Sequence, residues 1–328
     1  MRIAVFDTHR YDRDALLAAN SRYGHDLSFF EARLNRDTAA LAQGFEVVCP
    51  FVNCRLDAAT LTQLAAGGTR LVALRAAGFN GIDLPAAKAN GIAVVRVPAY
   101  SPHAVAEHAF ALLLTLVRKT HRAYNRVREA DFSLDGLVGF DLAGKTFGIV
   151  GLGRIGLVAA RIAHGFGCRV LVSDPAASLP ADLPLTQVDL STLLKQSDIV
   201  SLHVPLLPAT RHLIDAAALA QLKPGAILIN TSRGGLIDSQ ALLATLKAGK
   251  LGGVALDVYE LEEGVFFEDL SGTGLADDVL ARLTTFPNVL ITSHQGFLTH
   301  EALANIADTT LDNVRAFSLG EVLKNQVG

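Results

Sequence analysis

The sequence predicts an α/β protein built from two doubly wound parallel sheets. Short runs rich in β-branched residues alternate with helical patterns and polar turns through most of the chain, which is typical of parallel sheets covered by helices. A long helical stretch separates two such series of strands. The second series opens with a strand that leads directly into a glycine-rich turn, so each series is expected to form its own sheet.

The length and charge of the chain exclude several functional classes. A chain of 328 residues accommodates about two domains at roughly 150 residues each. The 29 basic and 32 acidic residues give a net charge of −3, which argues against an electrostatic nucleic-acid binder. The longest apolar run, within 109–117, is far shorter than the roughly 18 residues of a membrane span, and Asp7 interrupts any signal peptide. We therefore expect a cytoplasmic protein without nucleic-acid or membrane partners.

The three cysteines predict neither a metal site nor a disulfide framework. Cys49, Cys54 and Cys168 form no C-x-x-C pair and are odd in number. A reducing compartment is consistent with this usage.

The first hundred residues predict one sheet. One intervening helix is predicted over Asp57–Ala66, where Asp57 can cap the free amides of the first turn. The predicted strands are Ile3–Phe6, Leu27–Phe30, Val47–Cys49, Leu71–Leu74 and Ala93–Val97.

A long helix is predicted to connect the two series. It begins at Ser101-Pro102, a polar cap followed by proline, and its pattern continues to about Glu129. Arg118, Arg122 and Arg126 recur on one face of this helix. A solvated or subunit-contacting face explains them better than a phosphate-binding patch.

The second series predicts a second sheet inserted into the first domain. Helical apolar spacing returns over Glu301–Leu319. If that helix packs on the first sheet, one domain comprises 1–100 and 300–328, and the inserted domain comprises 101–299. The predicted strands are Thr146–Val150, Arg169–Ser173, Ile199–His203, Ala226–Asn230, Gly252–Leu256 and Val289–Thr292.

The turn after the first strand of the second series predicts a dinucleotide site. Gly151, Gly153 and Gly156 fit G-x-G-x-x-G between a strand and a helix, where backbone amides can approach a pyrophosphate. Asp174 ends the next strand, 18 residues past the last glycine, where a carboxylate can bind an adenosine ribose. The same carboxylate would repel a 2′-phosphate, so NAD is favoured over NADP.

Three further strands predict a catalytic site at the same edge of the second sheet. The segments Asn230–Gly235, Asp257–Glu262 and Ser293–Phe297 each follow a predicted strand. Because ligands of such sheets bind at the carboxyl ends of the strands, an arginine, a carboxylate and a histidine are expected to converge near the cofactor.

With these motifs in order, the chain resembles the D-2-hydroxyacid dehydrogenase family, most closely its D-lactate dehydrogenase branch, over nearly its whole length. The spacing of 29 residues between Arg233 and Glu262 also matches. The motifs that carry the resemblance are Leu74–Asn80, Val97–Pro102, Val105–His108, Gly151–Gly156, Asn230–Gly235, Asp257–Glu262 and His294.

The resemblance implies a flavodoxin-like substrate domain with an inserted Rossmann NAD-binding domain, and it assigns the catalytic roles. Arg233 would bind the substrate carboxylate and keto oxygen, His294 would be the acid and base, and Glu262 its partner. A guanidinium fork suits a planar 2-oxo acid, and an imidazole can carry a proton near neutral pH. Glu260 is the competing carboxylate, and only the family register favours Glu262. The alternative is an Arg233 ion pair with either glutamate and a structural His294.

The resemblance also assigns substrate contacts in the first domain. Ala77 and Gly78 resemble the loop whose amides bind the substrate carboxylate, and Tyr100 resembles a lid residue, although a hinge aromatic explains it nearly as well. Phe51 and Phe297 fall where the family lines the side-chain pocket. Two rings leave room for little more than a methyl group, which favours pyruvate, with D-lactate as the product.

The cofactor is predicted to be NAD, and the partners to be a small 2-oxo or 2-hydroxy acid and further copies of the chain in a dimer or tetramer. Predicted cofactor contacts are Gly151, Gly153, Arg154, Ile155, Gly156, Asp174, His203, Val204, Pro205, Thr231, Ser232 and Asp257.

Two other functions remain open on the sequence. The substrate could be glyoxylate, hydroxypyruvate or 2-oxoisocaproate instead of pyruvate, because apolar selection is weak. The fold could also act as an NAD-binding corepressor-like module. The segment Glu263–Leu275 fits either a surface loop or a subunit contact.

Overall fold

Two parallel sheets organise the chain, one in each of two structural units. The computed structural model describes residues 1–328. The first unit comprises Met1–Ser101 and Phe297–Gly328, and the second comprises Pro102–Gly296. Ser101 and residues 297–299 therefore group with the first unit, whereas the predicted boundaries placed them in the inserted domain.

The first unit contains five parallel strands in the order β2-β1-β3-β4-β5. The strands are β1 (Arg2–Val5), β2 (Asp26–Phe29), β3 (Val47–Cys49), β4 (Leu71–Ala73) and β5 (Ala93–Val95). The helices are α1 (Arg10–Asn20), α2 (Ala58–Ala66), α3 (Leu84–Ala89) and α11 (His300–Ser318), with a 3-10 turn at Ala39–Ala42. Each predicted strand is present with its ends within two residues. Strands β1, β3, β4 and β5 are short runs with buried Val or Ile residues, whereas β2 contains no buried residue.

Local signals set the helices of this unit. Asp57 caps α2 by accepting a hydrogen bond from the amide of Thr60, as the sequence predicts. On α11, Ala307, Leu311 and Val314 lie on one face and share a core with β-strand residues of the first sheet. The second unit is therefore an insertion between the last strand of the first sheet and α11.

The second unit contains seven parallel strands in the order β12-β11-β10-β9-β6-β7-β8. The strands are β6 (Thr146–Val150), β7 (Arg169–Ser173), β8 (Leu185–Gln187), β9 (Ile199–Leu202), β10 (Ile227–Asn230), β11 (Gly253–Leu256) and β12 (Val289–Ile291). The helices are α4 (Pro102–Arg118), α5 (Thr120–Arg128), α6 (Arg154–Gly165), α7 (Leu190–Gln196), α8 (Ala216–Gln221), α9 (Ser239–Lys247) and α10 (Asp278–Leu283), with a 3-10 turn at Gly234–Leu236. None of the helices in the structure combines the length and apolar character needed to cross a membrane.

Two features of this unit differ from the sequence prediction. Strand β8 was not predicted, because it is a three-residue edge strand of mixed polarity with no buried residue. The continuous helix predicted over 101–129 is wrong, since Lys119 has a left-handed backbone (φ 52°) and separates α4 from α5.

Two basic residues near the break, Lys119 and Arg126, have a structural role. The Lys119 ammonium donates to the carbonyl oxygens of Gly136 and Val138 at 2.9 and 2.8 Å. Arg126 donates to the carbonyl oxygen of Asp135 at 2.7 Å. These two side chains therefore hold the loop that follows α5.

A buried arginine ties together the strand ends of the first unit. Arg75 follows β4 and is 1% exposed. Its guanidinium donates to the carbonyl oxygens of Phe6, Asp7 and Cys49 at 3.1 to 3.3 Å, and it lies 3.7 Å from the carboxylate of Asp12. It thus donates to carbonyl groups at the carboxyl ends of two other strands, β1 and β3, and balances a buried acid.

We expect Arg75→Met to destabilise the protein by about 3–5 kcal/mol, because the change removes the positive charge beside the buried Asp12 carboxylate and the guanidinium donors to three carbonyl groups. Arg70→Met, at the exposed position directly before β4, should change stability by no more than about 0.5 kcal/mol. Urea unfolding monitored by circular dichroism measures both variants. Equal unfolding midpoints for the two would contradict the role of Arg75.

Candidate active site

The predicted site residues of the second unit lie on the loops that follow its strands. Strands β6, β7, β9, β10, β11 and β12 all run parallel, so their carboxyl ends meet at one edge of the sheet. The glycine loop follows β6, Asp174 follows β7, and Arg233, Glu262 and His294 follow β10, β11 and β12. These last three strands are consecutive neighbours in the sheet.

The three glycines of the motif occupy their positions for different physical reasons. A Cβ at Gly151 would lie 2.8 Å from the His203 carbonyl oxygen, and Gly151 has a φ of +93°. A Cβ at Gly156 would lie 2.0 Å from the Gly151 carbonyl oxygen. A Cβ at Gly153 would meet no atom within 4 Å, so the fold itself does not require glycine there. The bare backbone at Gly153 leaves space for a ligand.

This loop and its neighbours fit a dinucleotide. Gly153 is the N-cap of α6 and supplies no capping side chain, so the first amides of the helix remain available to a pyrophosphate. Arg154 and Ile155 open that helix. The hydroxyl of Thr231, which is 7% exposed, has no hydrogen-bond partner within the protein. An unpartnered buried hydroxyl at this edge is consistent with a ligand that completes its hydrogen bonding.

Asp174 lies against the glycine loop. One carboxylate oxygen accepts from the amide of Leu152 at 2.8 Å, and the other accepts from the amide of Ala176 at 2.9 Å. Each oxygen can accept a further hydrogen bond, so the carboxylate is held in place and can still bind a ribose hydroxyl.

The loop after β9 adds a neutral histidine. His203 Nε2 lies 2.9 Å from the hydroxyl of Ser201, and the amide of His203 donates to Val150. Burial lowers the pKa of His203 to about 4, so its ring is uncharged at neutral pH. Val204 and Pro205 continue this loop, and the hydroxyl of Ser232 donates to the Val204 carbonyl oxygen at 2.6 Å. That bond connects the loops after β9 and β10.

The backbone of the β10 loop fixes the position of Arg233. The buried amide side chain of Asn230 donates to the Arg233 carbonyl oxygen and accepts from the Ser232 amide. A Cβ at Gly234 would lie 2.0 Å from the carbonyl group of Tyr259, so glycine is needed for close packing of this turn on the β11 loop. The Arg233 guanidinium donates to the Ser232 carbonyl oxygen at 2.7 Å and forms no ion pair within 4.0 Å. It therefore remains able to bind an anion.

His294 faces Glu262. Its Nδ1 lies 3.1 Å from Glu262 Oε1, and the other carboxylate oxygen of Glu262 accepts from the Tyr259 amide. The side chains of His294 and Glu262 are 20% and 24% exposed, so the pair is held and still reachable. His294 has a left-handed backbone with φ 55°.

Glu260, the competing carboxylate, binds other groups. Its Oε1 lies 2.5 Å from His212 Nε2 and 3.2 Å from an Arg211 nitrogen, and its Oε2 accepts from the Ser239 amide at 3.4 Å. The geometry thus brings Glu262, and not Glu260, to His294. Neither glutamate pairs with Arg233.

Asp257 organises the loop that carries His294. Its buried carboxylate accepts from the hydroxyl of Thr292 at 2.6 Å and from the amides of Gln295 and Gly296 at 2.9 and 2.8 Å. Burial raises its pKa, but hydrogen bonds from His108 and Thr292 outweigh this and hold the pKa below its usual value. Asp257 was predicted as a cofactor contact, and the structure gives both of its oxygens protein donors.

The predicted substrate residues of the first unit form two groups. Ala77 and Gly78 follow Arg75, and the Ala77 carbonyl oxygen accepts from Arg96 at 2.8 Å. The rings of Phe51 and Phe297 are buried, with centroids 6.1 Å apart, and Tyr100 lies 6.5 Å from Phe297.

The same ring cluster contains two residues that were not predicted. The rings of His9 and Tyr11 stack at 5.3 Å, and they contact Phe51 and Phe297 respectively. Both residues come soon after β1, and a rule that examines the residues after every strand would have found them.

The segment Glu263–Leu275 partly covers the His294 loop. Phe266 is 5% exposed and belongs to the core of the second unit. The ring of Phe267 lies 6.0 Å from the ring of His294. The segment is therefore more than a solvated surface loop, because one ring anchors it and the next faces the histidine.

The fold and this edge define a dinucleotide-binding α/β protein that holds an arginine, and a histidine paired with a carboxylate, after adjacent strands. Comparison with known proteins identifies the class more closely. Residues 110–296 match the NAD-binding domain of the D-isomer specific 2-hydroxyacid dehydrogenases. A D-lactate dehydrogenase of Escherichia coli (strain K12) is 49% identical over 328 residues, which cover 100% of both chains.

Solved structures give the same result. The pyruvate reductase of Chlamydomonas reinhardtii is 45% identical, with a TM-score of 0.94 over 99% of this chain and 98% of that one. A D-lactate dehydrogenase of Lactobacillus jensenii, solved with NAD+, is 31% identical, with a TM-score of 0.85 over 100% of both chains. The chain therefore belongs to the D-isomer specific 2-hydroxyacid dehydrogenases. The predicted family, fold class and NAD cofactor are confirmed.

The low pKa of His203 makes stability depend on pH. In the unfolded chain its pKa is about 6.5, so below that pH the unfolded state binds a proton that the folded state excludes. Stability should fall as pH decreases from about 6.5 toward 4, by roughly 1–2 kcal/mol at pH 5. Between pH 7 and pH 5 the Tm of the wild type should therefore fall more steeply than the Tm of His203→Gln.

His164→Gln, at an exposed position at the end of α6, is the matched control and should follow the wild type. If His203→Gln shows the same pH slope as the wild type, His203 does not carry this dependence.

Proposed function

We propose that this protein is an NAD-dependent D-lactate dehydrogenase that interconverts pyruvate and D-lactate. The observation that carries the proposal is the contact of 3.1 Å between His294 and Glu262, on loops beside the one that presents an unpaired Arg233. An acid and base next to an anion-binding guanidinium is what reduction of a 2-oxo acid requires. The names of the Escherichia coli and Chlamydomonas relatives support lactate and pyruvate as the substrates.

Arg233 binds the substrate in this mechanism. Its planar guanidinium pairs with the carboxylate and keto oxygen of pyruvate through two parallel hydrogen bonds. The same donors stabilise the negative charge that develops on the keto oxygen during reduction. Asn230 and Gly234 hold the backbone at Arg233, so the Cα of Arg233 has a fixed position from which the guanidinium reaches the substrate.

His294 transfers the proton. Glu262 accepts from Nδ1, so Nε2 carries the proton that moves to the keto oxygen, and Glu262 stabilises the charged imidazole before transfer. NADH supplies the hydride to C2 of pyruvate, and NAD+ accepts it in the reverse direction. In lactate oxidation neutral His294 accepts the hydroxyl proton at Nε2. Gly151, Gly153, Arg154, Ile155, Gly156, Asp174 and the loops at 203–205 and 231–232 are proposed to hold the dinucleotide, whereas Asp257 is engaged by the protein.

The first unit is proposed to supply the substrate-specificity groups. Amides at Ala77 and Gly78 bind the carboxylate, and Tyr100 closes over the substrate. Phe51 and Phe297, whose buried rings lie 6.1 Å apart, pack against the substrate methyl group, which favours pyruvate over acids with longer side chains.

We also propose that the protein is cytoplasmic and acts as a homo-oligomer. The loop 131–138 and α5 expose an apolar surface, with Tyr124, Phe132, Leu134 and Val138 exposed by 62%, 72%, 77% and 84%. Exposed apolar side chains in this number along one segment favour contact with a second copy of the chain. Lys119 and Arg126 hold the loop in place for that contact.

The proposed activity is tested by NADH oxidation with pyruvate, glyoxylate, hydroxypyruvate and 2-oxoisocaproate, and by a chiral assay of the product. Pyruvate should have the highest kcat/KM, and glyoxylate and 2-oxoisocaproate should be lower by about tenfold or more, since a misfit of one methylene costs about 1–3 kcal/mol. The product should be D-lactate. A higher kcat/KM for 2-oxoisocaproate would contradict the assignment of Phe51 and Phe297 to a pocket for a methyl group. If none of the four acids is turned over, the proposed dehydrogenase activity is wrong.

Arg233→Lys should lower kcat/KM for pyruvate by about 100-fold or more, because an ammonium cannot reproduce the two parallel hydrogen bonds. The matched control is Arg169→Lys, since Arg169 is exposed at the start of β7, at the edge of the sheet opposite the site. That variant should stay within about threefold of the wild type, the small effect expected of an exposed surface substitution. Comparable losses in both variants would mean that Arg233 has no special role with substrate.

A further inference from the structure

His108 belongs to a motif that the proposed mechanism does not use. It lies on α4, and its side chain is only 14% exposed. Its Nε2 lies 3.1 Å from Asp257 Oδ1 and 3.1 Å from the hydroxyl oxygen of Thr292. Because the Asp257 oxygen can only accept, Nε2 carries a proton and donates to it.

The partners of His108 are the groups that hold the His294 loop. Thr292 lies between the end of β12 and His294, and its hydroxyl donates to Asp257. Asp257 also accepts from the amides of Gln295 and Gly296, which follow His294. The His294 amide donates to the Asp257 carbonyl oxygen at 2.7 Å. The loop is thus tied to Asp257 on both sides of the histidine.

Packing at Gly296 leaves little freedom for this arrangement. A Cβ there would lie 3.0 Å from Asp257 Oδ2 and 3.4 Å from His108 Cδ2, so the loop backbone rests directly on the His108–Asp257 pair. His294 itself has a left-handed backbone, which is unfavourable for a non-glycine residue and persists only when the surroundings impose it.

We infer that His108 is a positioning residue for the acid and base, acting through Asp257 and Thr292 to hold His294 against Glu262. This inference rests on the proposed function for its effect on turnover. His108 orients the Asp257 carboxylate so that both of its oxygens meet the loop amides. Without His108, the side chains of Asp257 and Thr292 can rotate. The loop then loses the hydrogen bonds that keep Nδ1 of His294 within reach of Glu262.

The test compares His108→Leu, which removes the donor, with His108→Gln, which retains an amide donor of similar reach. His103→Gln is the control, because His103 lies on the same helix with a side chain that is 71% exposed. Thr292→Val is a second variant that removes one hydroxyl from the same network with little change in shape. Hydrogen exchange of the peptide 290–299 reports on the loop whether or not the enzyme turns over.

In His108→Leu the amides of Gln295 and Gly296 should exchange about tenfold faster, the effect of losing roughly one buried hydrogen bond. The kcat for pyruvate should fall by about tenfold or more while KM changes by less than about threefold, since Arg233 still binds the substrate. His108→Gln should restore most of kcat and of the protection, Thr292→Val should show a smaller loss of both, and His103→Gln should match the wild type.

Loop protection and kcat like those of the wild type in His108→Leu would overturn the inference, as would a loss of kcat without faster exchange. If His108→Leu does not fold, Thr292→Val decides: wild-type exchange and kcat in that variant would overturn the inference. If the wild type turns over none of the four acids, the proposed function fails, and the exchange data alone decide whether His108 holds the loop.

Discussion

The buried carboxylate of Asp257 is the interaction on which the geometry of the acid and base depends. A carboxylate that is 1% exposed is costly to the fold unless both oxygens are fully hydrogen-bonded. Here two of its donors are backbone amides just after His294. The burial cost is therefore offset in the loop conformation that places His294 beside Glu262, and this selects that conformation over the many others open to a loop after a short edge strand.

Backbone geometry, more than side-chain chemistry, shapes the cofactor edge. Gly151 and Gly156 are required because a Cβ at either would collide with neighbouring backbone, which would hold even if no ligand bound. Gly153 has no such internal cause, and the Thr231 hydroxyl lacks a protein partner. The motif therefore combines two glycines that build the turn with one that keeps it open, and only the latter is evidence for a ligand.

The sequence predicted the buried strands well and the exposed irregularities poorly. Thr146–Val150 and Arg169–Ser173 have their predicted ends, because a run of buried apolar residues between polar turns has few other structures to adopt. Strand β8 has no buried residue and hence no periodic signal. The break at Lys119 has no glycine or proline to mark it, and it is stabilised by carbonyl groups of residues 136 and 138, which no local pattern reveals.

The same reasoning explains what the sequence could decide about the site. The rule that ligands bind after parallel strands placed Arg233 and His294 at one edge, but it could not separate Glu260 from Glu262, since both follow β11. Contacts distant in sequence make the distinction: Arg211 and His212 bind Glu260, which also accepts from the amide of Ser239 beyond the Arg233 turn. One glutamate thus braces the loop that carries the arginine, and the other faces the histidine. This separation leaves the Arg233 guanidinium without a protein counter-ion, so that an anionic substrate can provide one.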